Sequence, residues 1–448
     1  MARPASSLLL LFFLLTFAVT GVCRAANFAG DLRILADDYL ARSPAFSPQA
    51  LREARARLAD LERQADRLTP LEFYLAVSRI TALADNGHDS VMRSERSWNP
   101  TLRLPLRMIW FDDGIAIARA APEHRDLLGA KVSSIDGNPP GRLMQAFRGI
   151  QGGTDAYRRW TVAGLLHSPE ALHALGIARR ADRVTLTLQR PDGTTVGRTV
   201  QALPVDRLPS GVRPQAYWYT AALLGEAERG WSFAAPADRV PLYLQEPGRW
   251  FRMQDLPDMR ALYVQFRSNM DEEGSAIAPF VQEVTRRLET NPPRHLVLDL
   301  RFDTGGDNTQ NLELMRTIAR TVPGQIYVLL GNYTFSAGIA SAAALEHEGR
   351  ERVTLVGEAV GDRLRWWSEH EMTCLPASGL CVSVNRGLWD LRRGCHADAH
   401  CYGDQFDVGV ASLEPDRYAP VRVGDWLAGI DPGLDAVRAD LARIASRR

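Results

Sequence analysis

Apolar residues recur with a helical period over the first part of the chain. Residues 32–40 place their apolar side chains on one face, and a Thr-Pro-Leu-Glu sequence at 69–72 is typical of a capped helix start. The helix that begins there is predicted to end at 85–87, because the glycine of an Asn-Gly pair readily adopts the left-handed conformation that closes a helix. We therefore predict an N-terminal helical region over residues 26–105.

Short strands separated by turns follow. Residues 108–111 and 115–117 flank an Asp-Asp-Gly turn, and the alternating apolar and polar residues at 184–188 are typical of a half-buried strand. This pattern predicts a module of mixed strands and loops over residues 106–205. Residues 206–258 are rich in Pro, Trp and Tyr with weak periodicity, so we interpret them as a connecting region.

From residue 259 onward, apolar strands alternate with helices. Largely apolar runs at 262–266, 295–300 and 325–330 indicate strands buried on both faces, with helices between them. The alternation predicts an α/β (α+β) core over residues 259–448. Its last helix, which begins at Pro432, carries an apolar face and is expected to dock on the sheet.

The charge balance argues against one class of partner. The chain has 448 residues, with 53 Lys and Arg against 53 Asp and Glu. A formal charge of zero gives no basic surface of the kind that binds nucleic acid. We therefore expect no nucleic-acid partner.

The N-terminus has the pattern of a secretory signal peptide. Arg3 precedes an apolar run at residues 8–19 that is too short to span a bilayer, and a small-residue cleavage pattern follows it. We predict a signal peptide over residues 1–25 and a periplasmic or secreted mature protein without a membrane span. Cys23 would carry the lipid of a lipoprotein, but Val22 is bulkier than the residue that usually precedes such a cysteine, so lipid anchoring is disfavoured.

The remaining cysteines lie in one short stretch of the chain: Cys374, Cys381, Cys395 and Cys401. An even, clustered set in an oxidising compartment predicts two disulfides, most simply between sequence neighbours, although other connectivities stay open. The alternative is a metal site in which His396 and His400 join Cys395 and Cys401. Structural zinc sites usually have wider spacing between their two halves, so we predict disulfides and no metal.

Ser336 begins a helix rich in small residues, directly after an apolar strand. The free N–H groups and the dipole of a helix start stabilise negative charge, as the oxyanion of an acyl-transfer reaction requires. Serine is also a common helix cap, so this segment alone does not identify a nucleophile. The paired Gly305 and Gly306 follow the preceding strand, and the carboxyl ends of strands in an α/β sheet form its ligand-binding edge. The two segments together favour a nucleophile.

These two segments resemble motifs of the tail-specific (C-terminal processing) and tricorn-like serine peptidases. Thr334–Gly338 is similar to the nucleophile turn of that family and Leu298–Gly306 to its strand and glycine pair. Residues 85–90 resemble the Asp-Gly-His-Thr segment of the tricorn-like branch, and residues 128–140 resemble the opening of a PDZ-like module. The resemblance implies a Clp-protease/crotonase-like catalytic core with a PDZ-like module over 106–205. It also implies an exported serine peptidase that acts on peptides or proteins through an acyl-enzyme, with no cofactor.

The resemblance also implies roles for individual residues. Ser336 would be the nucleophile, and the N–H groups of Ala337 and of Gly305 or Gly306 would form the oxyanion hole. One branch of the family uses a lysine base some two dozen residues after the nucleophile. Here that neighbourhood is Gly361-Asp362-Arg363, and the one lysine of the chain is Lys131. Arginine does not give up its proton in proteins, so the histidine branch is favoured.

The histidine that matches the tricorn-like segment is His88, which we predict to be the base. Three histidines closer to Ser336 in sequence stay open as alternatives: His370, His396 and His400. Asp407 is the nearest match to the family's third catalytic residue, although its spacing to Pro415-Asp416, which resembles the family's C-terminal Pro-Asp pair, is too long. Other acidic candidates stay open at this point: Glu358, Glu369 and Glu371.

Two further expectations concern the organisation of the molecule. Residues 374–401 depart from the family pattern and are interpreted as a disulfide-stapled insertion near the mouth of the site. The same fold also resembles retinoid-binding proteins, so the competing hypothesis is an inactive family member that serves as a periplasmic binding or scaffold protein. The missing lysine and the displaced acidic residue favour that hypothesis, whereas the intact Ser336 and glycine pair oppose it.

Overall fold

The structure is a computed structural model that describes residues 28–208, 219–220, 229–402 and 408–447. The predicted signal peptide at residues 1–25 and the predicted third catalytic residue, Asp407, lie outside the described residues. Among the described helices, none is long and apolar enough to cross a membrane.

Three helices form the N-terminal part of the molecule: α1 (Ala29–Ile34, continued by a π-helical segment at Leu35–Leu40), α2 (Pro48–Glu62) and α3 (Pro70–Thr81). The Thr69 hydroxyl accepts the Glu72 N–H, and the Glu72 carboxylate accepts the Thr69 N–H, which is the capping box predicted for α3. The left-handed residue beyond α3 is Asp85, with φ of 50°, and not the predicted Gly87. Aspartate tolerates this conformation better than most residues.

An antiparallel sheet occupies the predicted strand module. The chain forms β1 (Val91–Arg93), β2 (Leu102–Arg103), β3 (Leu106–Phe111), β4 (Gly114–Ala120), β5 (Lys131–Ile135), α4 (Pro140–Arg148), α5 (Asp155–Thr161), α6 (Pro169–Ala174), β6 (Arg183–Gln189), β7 (Thr195–Gln201) and β8 (Leu203–Pro204). Strands β3 to β7 pair in chain order, and β8 pairs with β2. Helices α4 and α6 contribute to the apolar core of this sheet.

The C-terminal half contains the predicted core of alternating strands and helices. Two strands lie in the segment interpreted as a connecting region: β9 (Ser232–Phe233), which pairs with β4, and β10 (Phe251–Leu256). The elements that follow are β11 (Ala261–Phe266), α7 (Ile277–Thr290), β12 (His295–Asp299), α8 (Leu312–Thr321), β13 (Ile326–Leu330), α9 (Ala337–Gly349), β14 (Val353–Gly357), β15 (Arg365–Leu375), β16 (Leu380–Asp390), β17 (Arg417–Tyr418), α10 (Val423–Ala428) and α11 (Pro432–Ser446). The sheet order is β10-β11-β12-β13-β14-β17, with β10 antiparallel and the other strands parallel.

Helices cover both faces of this parallel sheet. Leu298 and Val328 belong to the apolar core that contains α7, α8 and α9. Their neighbours Val297 and Tyr327 point to the opposite face and pack with α11, because successive side chains of a strand alternate. Strands buried on both faces explain the continuous apolar runs in the sequence.

Strands β15 and β16 form a long hairpin that connects the parallel sheet to the N-terminal helices. Trp366 and Trp389, at its open end, belong to the core of the parallel sheet. Leu375 and Leu380, at its turn, belong to the core of the N-terminal helices. The hairpin also pairs with β1. The segment interpreted as an insertion therefore contributes strands that join two parts of the fold.

The four described cysteines form two disulfides. Cys374 bonds to Cys381 across the hairpin, and Cys395 bonds to Cys401 in the loop after it. This is the simplest of the connectivities that the sequence allows. The cysteines are thus engaged with one another and do not serve as the metal ligands of the alternative hypothesis.

Candidate active site

Ser336 lies at the sharp turn between β13 and α9. Its backbone has φ of 50° and ψ of −120°, in the left-handed half of conformational space that is costly for a residue with a Cβ atom. Within the part of the chain that the structure describes, its side chain makes no capping hydrogen bond to α9. Ser336 is therefore not the simple helix cap that sequence alone allowed.

Hydrogen bonds to the end of β12 hold this turn in place. The Thr334 hydroxyl accepts the Gly331 N–H at 3.0 Å and donates to the Leu300 carbonyl at 2.8 Å. The Phe335 N–H donates to the Asp303 carbonyl at 3.0 Å. These bonds fix the serine relative to the loop that carries the glycine pair.

The glycine pair contacts the nucleophile turn directly. A Cβ atom on Gly305, whose φ is 100°, would lie 2.6 Å from the Ser336 Cβ and 3.0 Å from the Ala337 nitrogen. A Cβ atom on Gly306, whose φ is 139°, would lie 2.8 Å from the backbone of Asn269. Both positions require glycine, because any larger residue would displace the loop from the serine.

The two glycine N–H groups differ in their hydrogen bonding. The Gly305 N–H donates to the Asp303 carboxylate at 3.0 Å, so it is already engaged. The N–H groups of Gly306 and Ala337 form no hydrogen bond within the described residues. Of the donors considered from sequence, these two are the ones available to a developing oxyanion.

His88 lies in a loop that is tied to the β15–β16 hairpin. The Asn86 side-chain amide donates to the Trp367 carbonyl at 2.9 Å and accepts the Trp367 N–H at 3.0 Å. The guanidinium of Arg363 donates to the carboxylate of Asp85 at 2.9 Å. These contacts fix the loop just before Gly87, the residue that precedes the histidine.

A buried carboxylate anchors the other end of this loop. Asp89 accepts hydrogen bonds from the Tyr39 hydroxyl at 2.9 Å and from the Asn86 amide at 2.6 Å. Burial raises the pKa of Asp89 to about 6, although the hydrogen bonds it accepts act in the opposite direction. The N-terminal helices thus contribute directly to the placement of His88.

Asp362 is the acidic residue that the structure places beside His88. Its Oδ2 lies 3.6 Å from the His88 Nδ1, and the two side chains are 1% and 11% exposed. The Arg363 N–H donates to the other carboxylate oxygen at 2.8 Å. A Cβ atom on Gly87 would lie 2.7 Å from Asp362 Oδ2, so glycine at this position permits the close approach. The sequence alone gives Asp362 no role beyond its place in a neighbourhood that lacks lysine.

The His88 ring reaches the nucleophile turn through an aromatic contact. It stacks on Phe335, the residue before Ser336, with ring centroids 4.4 Å apart. Among the described residues, neither ring nitrogen of His88 has a hydrogen-bond partner. The imidazole is therefore placed next to the serine turn without a hydrogen bond to the serine hydroxyl in this structure.

The strand module also contributes to this region. Tyr157 of α5 stacks on Phe335 with centroids 4.4 Å apart. Trp160 donates its indole N–H to the Asn332 carbonyl at 2.8 Å, and the Thr154 hydroxyl donates to the Gly361 carbonyl at 2.7 Å. One helix of this module therefore packs against the segments that carry Ser336 and Asp362.

The alternative acidic residues have other contacts. Glu371 pairs with Arg42 and Arg386, and Glu369 accepts the Trp389 indole N–H at 3.2 Å. Burial raises the pKa of Glu358 to about 7, while Arg159, 3.8 Å away, lowers it.

The alternative histidines also lie elsewhere. His400 lies against Trp367 and pairs with Asp398 at 3.2 Å, His370 faces Asn385 across the hairpin, and His396 lies in the loop that the second disulfide closes. His88 is the histidine found in contact with the nucleophile turn.

Comparison with known proteins gives the fold. No family model and no curated protein sequence matches the chain. Among solved structures, mature CPAF complexed with lactacystin superposes with a TM-score of 0.56 at 14% identity, covering 94% of this chain and 98% of that one. A second structure of mature CPAF gives 0.55 at 14% identity, covering 92% and 96%.

A weaker likeness is found to the photosystem II D1 C-terminal processing protease. Its TM-score is 0.35 at 14% identity, and the match covers 81% of this chain and 87% of that one. The two superpositions on mature CPAF give the fold of this chain.

Proposed function

We propose that this chain is an exported serine peptidase that cleaves peptide or protein substrates through an acyl-enzyme. The observation that carries the proposal is the convergence at Phe335. Ser336, whose backbone is strained and whose side chain makes no capping bond, directly follows Phe335. The His88 ring stacks on Phe335, and Asp362 lies beside its Nδ1. A nucleophile, a base and a group that orients the base are the parts of a serine triad.

The chemistry assigns one step to each group. The Ser336 hydroxyl attacks the scissile carbonyl and gives its proton to Nε2 of His88, which returns the proton to the leaving amine. Asp362, in place of the predicted Asp407, holds the Nδ1 proton and fixes the tautomer of the ring. The N–H groups of Gly306 and Ala337 stabilise the oxyanion, assisted by the N-terminal end of α9.

The missing hydrogen bond between His88 and Ser336 favours the competing hypothesis of an inactive binding or scaffold protein. Catalytic hydrogen bonds are often long without substrate and tighten when it binds. The positive φ of Ser336 is costly, and a binding protein gains nothing from retaining it. We therefore place the peptidase first.

The remaining parts of the proposal concern export and substrate handling. Two disulfides are compatible with a periplasmic or secreted protein.

We assign residues 106–205 as a PDZ-like module that captures or gates substrate chains. Tyr157 of this module stacks on Phe335. This contact supports that role, because a movement of the module would displace the nucleophile turn.

A fluorophosphonate probe tests the proposal. The probe phosphonylates an activated serine with loss of fluoride, so the wild-type protein should be labelled and Ser336→Ala should not. Ser341→Ala is the matched control, because Ser341 lies on the same helix and its hydroxyl is engaged with the Ala337 carbonyl at 2.7 Å. Labelling of Ser336→Ala at the wild-type rate, or none of the wild type, would contradict a peptidase and favour the binding protein.

A further inference from the structure

Asp303 is a fully buried carboxylate beside the nucleophile turn. One carboxylate oxygen accepts the Gly305 N–H at 3.0 Å, and the other has no hydrogen-bond partner among the described residues. A Cβ atom on Gly338 would lie 3.0 Å from the carboxyl carbon, so the group packs against the first turn of α9. Neither the fold nor the triad proposed above accounts for an unsatisfied carboxylate at this position.

The surroundings of Asp303 make its ionised form unfavourable. Burial raises the pKa of this carboxyl to about 7, and only the Gly305 N–H acts in the opposite direction. From α9 it faces Gly338 and the backbone, which carry no titratable group. Elsewhere in the site, the titratable groups are His88, which stacks on Phe335, and Asp362 beside it. Asp307, in the same loop, is engaged with Thr309 and Gln310.

The same carboxylate lies close to where the oxyanion would form. Gly305 joins the two sites, because its N–H binds Asp303 and its Cα lies against Ser336 and the Ala337 nitrogen. Two negative charges separated by one residue in a buried environment repel strongly, since little water screens them. An ionised Asp303 would therefore oppose the charge that develops on an attacked carbonyl.

We infer that Asp303 is a positioning residue that holds the Gly305 loop against Ser336 and must be protonated for efficient attack. In its neutral form the carbonyl oxygen still accepts the Gly305 N–H, so the loop stays in place while the repulsive charge is removed. In its ionised form the loop is held equally well but the oxyanion is destabilised. This inference rests on the proposed peptidase activity, and it adds an alkaline limit that the triad alone would not impose.

The test is the pH dependence of fluorophosphonate labelling, measured as a second-order rate between about pH 5.5 and 9.5, with Ser336→Ala as the blank. The wild-type rate should pass through a maximum and fall at least about threefold towards pH 9.5 as Asp303 ionises. Asp303→Asn keeps an oxygen that can accept the Gly305 N–H but cannot ionise, so its rate should reach a plateau without falling. Asp307→Asn, which removes a carboxylate from the same loop, should follow the wild type.

Each outcome decides the inference. The inference would be overturned if the labelling rate of Asp303→Asn still declined at alkaline pH. It would also be overturned if the wild-type labelling rate stayed level up to pH 9.5, and this second result does not depend on whether the variant folds. A protein that is never labelled, or is labelled without Ser336, would instead contradict the proposed peptidase. If Asp303 had only a structural role, the labelling rate of Asp303→Asn would be lower than that of the wild type at every pH, and the shape of its pH profile would be unchanged.

Discussion

His88 and Asp362 face each other across 3.6 Å, from Nδ1 to Oδ2, although they lie 274 positions apart in the chain (362 − 88). The pair forms because the His88 loop is tied to Trp367 through Asn86, and Trp367 lies at the start of the hairpin that follows Asp362. The loop after the N-terminal helices and the segment after the parallel strands thus build one site together.

Asp362→Asn should lower the rate of fluorophosphonate labelling by orders of magnitude, with little change in overall structure. The amide is nearly isosteric, but it cannot stabilise the imidazolium or hold the productive tautomer. The labelling rate and a circular dichroism spectrum are to be compared with those of Asp390→Asn, a carboxylate on the hairpin next to Arg365. Equal rates for the wild type and Asp362→Asn would assign the orienting role to another residue.

His88→Ala should abolish labelling, because among the described residues His88 is the histidine whose ring stacks on Phe335 of the nucleophile turn. Lys131→Arg should leave it intact, since Lys131 pairs with Asp113 in the strand module and is not the base. His370→Ala and His400→Ala serve as further controls. Loss of labelling in one of these two, with His88→Ala unaffected, would place the base on the hairpin or in the disulfide loop.

Asn86→Ala should loosen the His88 loop without removing any proposed catalytic group. It deletes the two bonds to Trp367 and the bond to the Asp89 carboxylate. The partners left unsatisfied cost about 1–3 kcal/mol for each buried group. We expect faster hydrogen exchange at residues 85–90 together with a lower labelling rate. Unchanged hydrogen exchange in this loop would show that the Asn86 side-chain bonds to Trp367 do not position His88.

Asp303→Asn should stabilise the protein at pH 8 more than at pH 5. The folded-state pKa of about 7 exceeds the unfolded value of about 3.9, so between these values the folded state binds more protons and its stability falls as the pH rises. Removing the charge should restore on the order of a few kcal/mol at pH 8, visible as a higher melting temperature. The reverse ranking of the two pH values would show that Asp303 is paired when ionised.

Local sequence signals predicted several parts of the structure because their causes are local. The capping box at Thr69 and Glu72 needs only neighbouring residues, and the apolar strands of the parallel sheet need only burial on both faces. The positions of Ser336 and of the glycine pair followed from motif resemblance, and the structure adds their close contact.

The acidic partner of His88 could not be found in this way. Asp362 is identified by its distance to His88, and that distance depends on the pairing of β1 with β16 and on the Asn86 bonds to Trp367. The sequence suggests either Gly305 or Gly306 as an oxyanion donor. It does not reveal that the Gly305 N–H already donates to Asp303. Gly87 was interpreted as a helix stop, whereas it provides room for Asp362.

The central claim is that Ser336 is an activated nucleophile, and mapping the site of the fluorophosphonate adduct tests it most directly. The wild-type protein should be labelled, digested and sequenced by tandem mass spectrometry beside Asp362→Asn and Ser336→Ala. We predict one adduct, on the peptide that contains Ser336, at a strongly reduced level in Asp362→Asn and absent from Ser336→Ala. An adduct on any other residue, or an unmodified Ser336 peptide after prolonged exposure of the folded wild-type protein, would contradict the account.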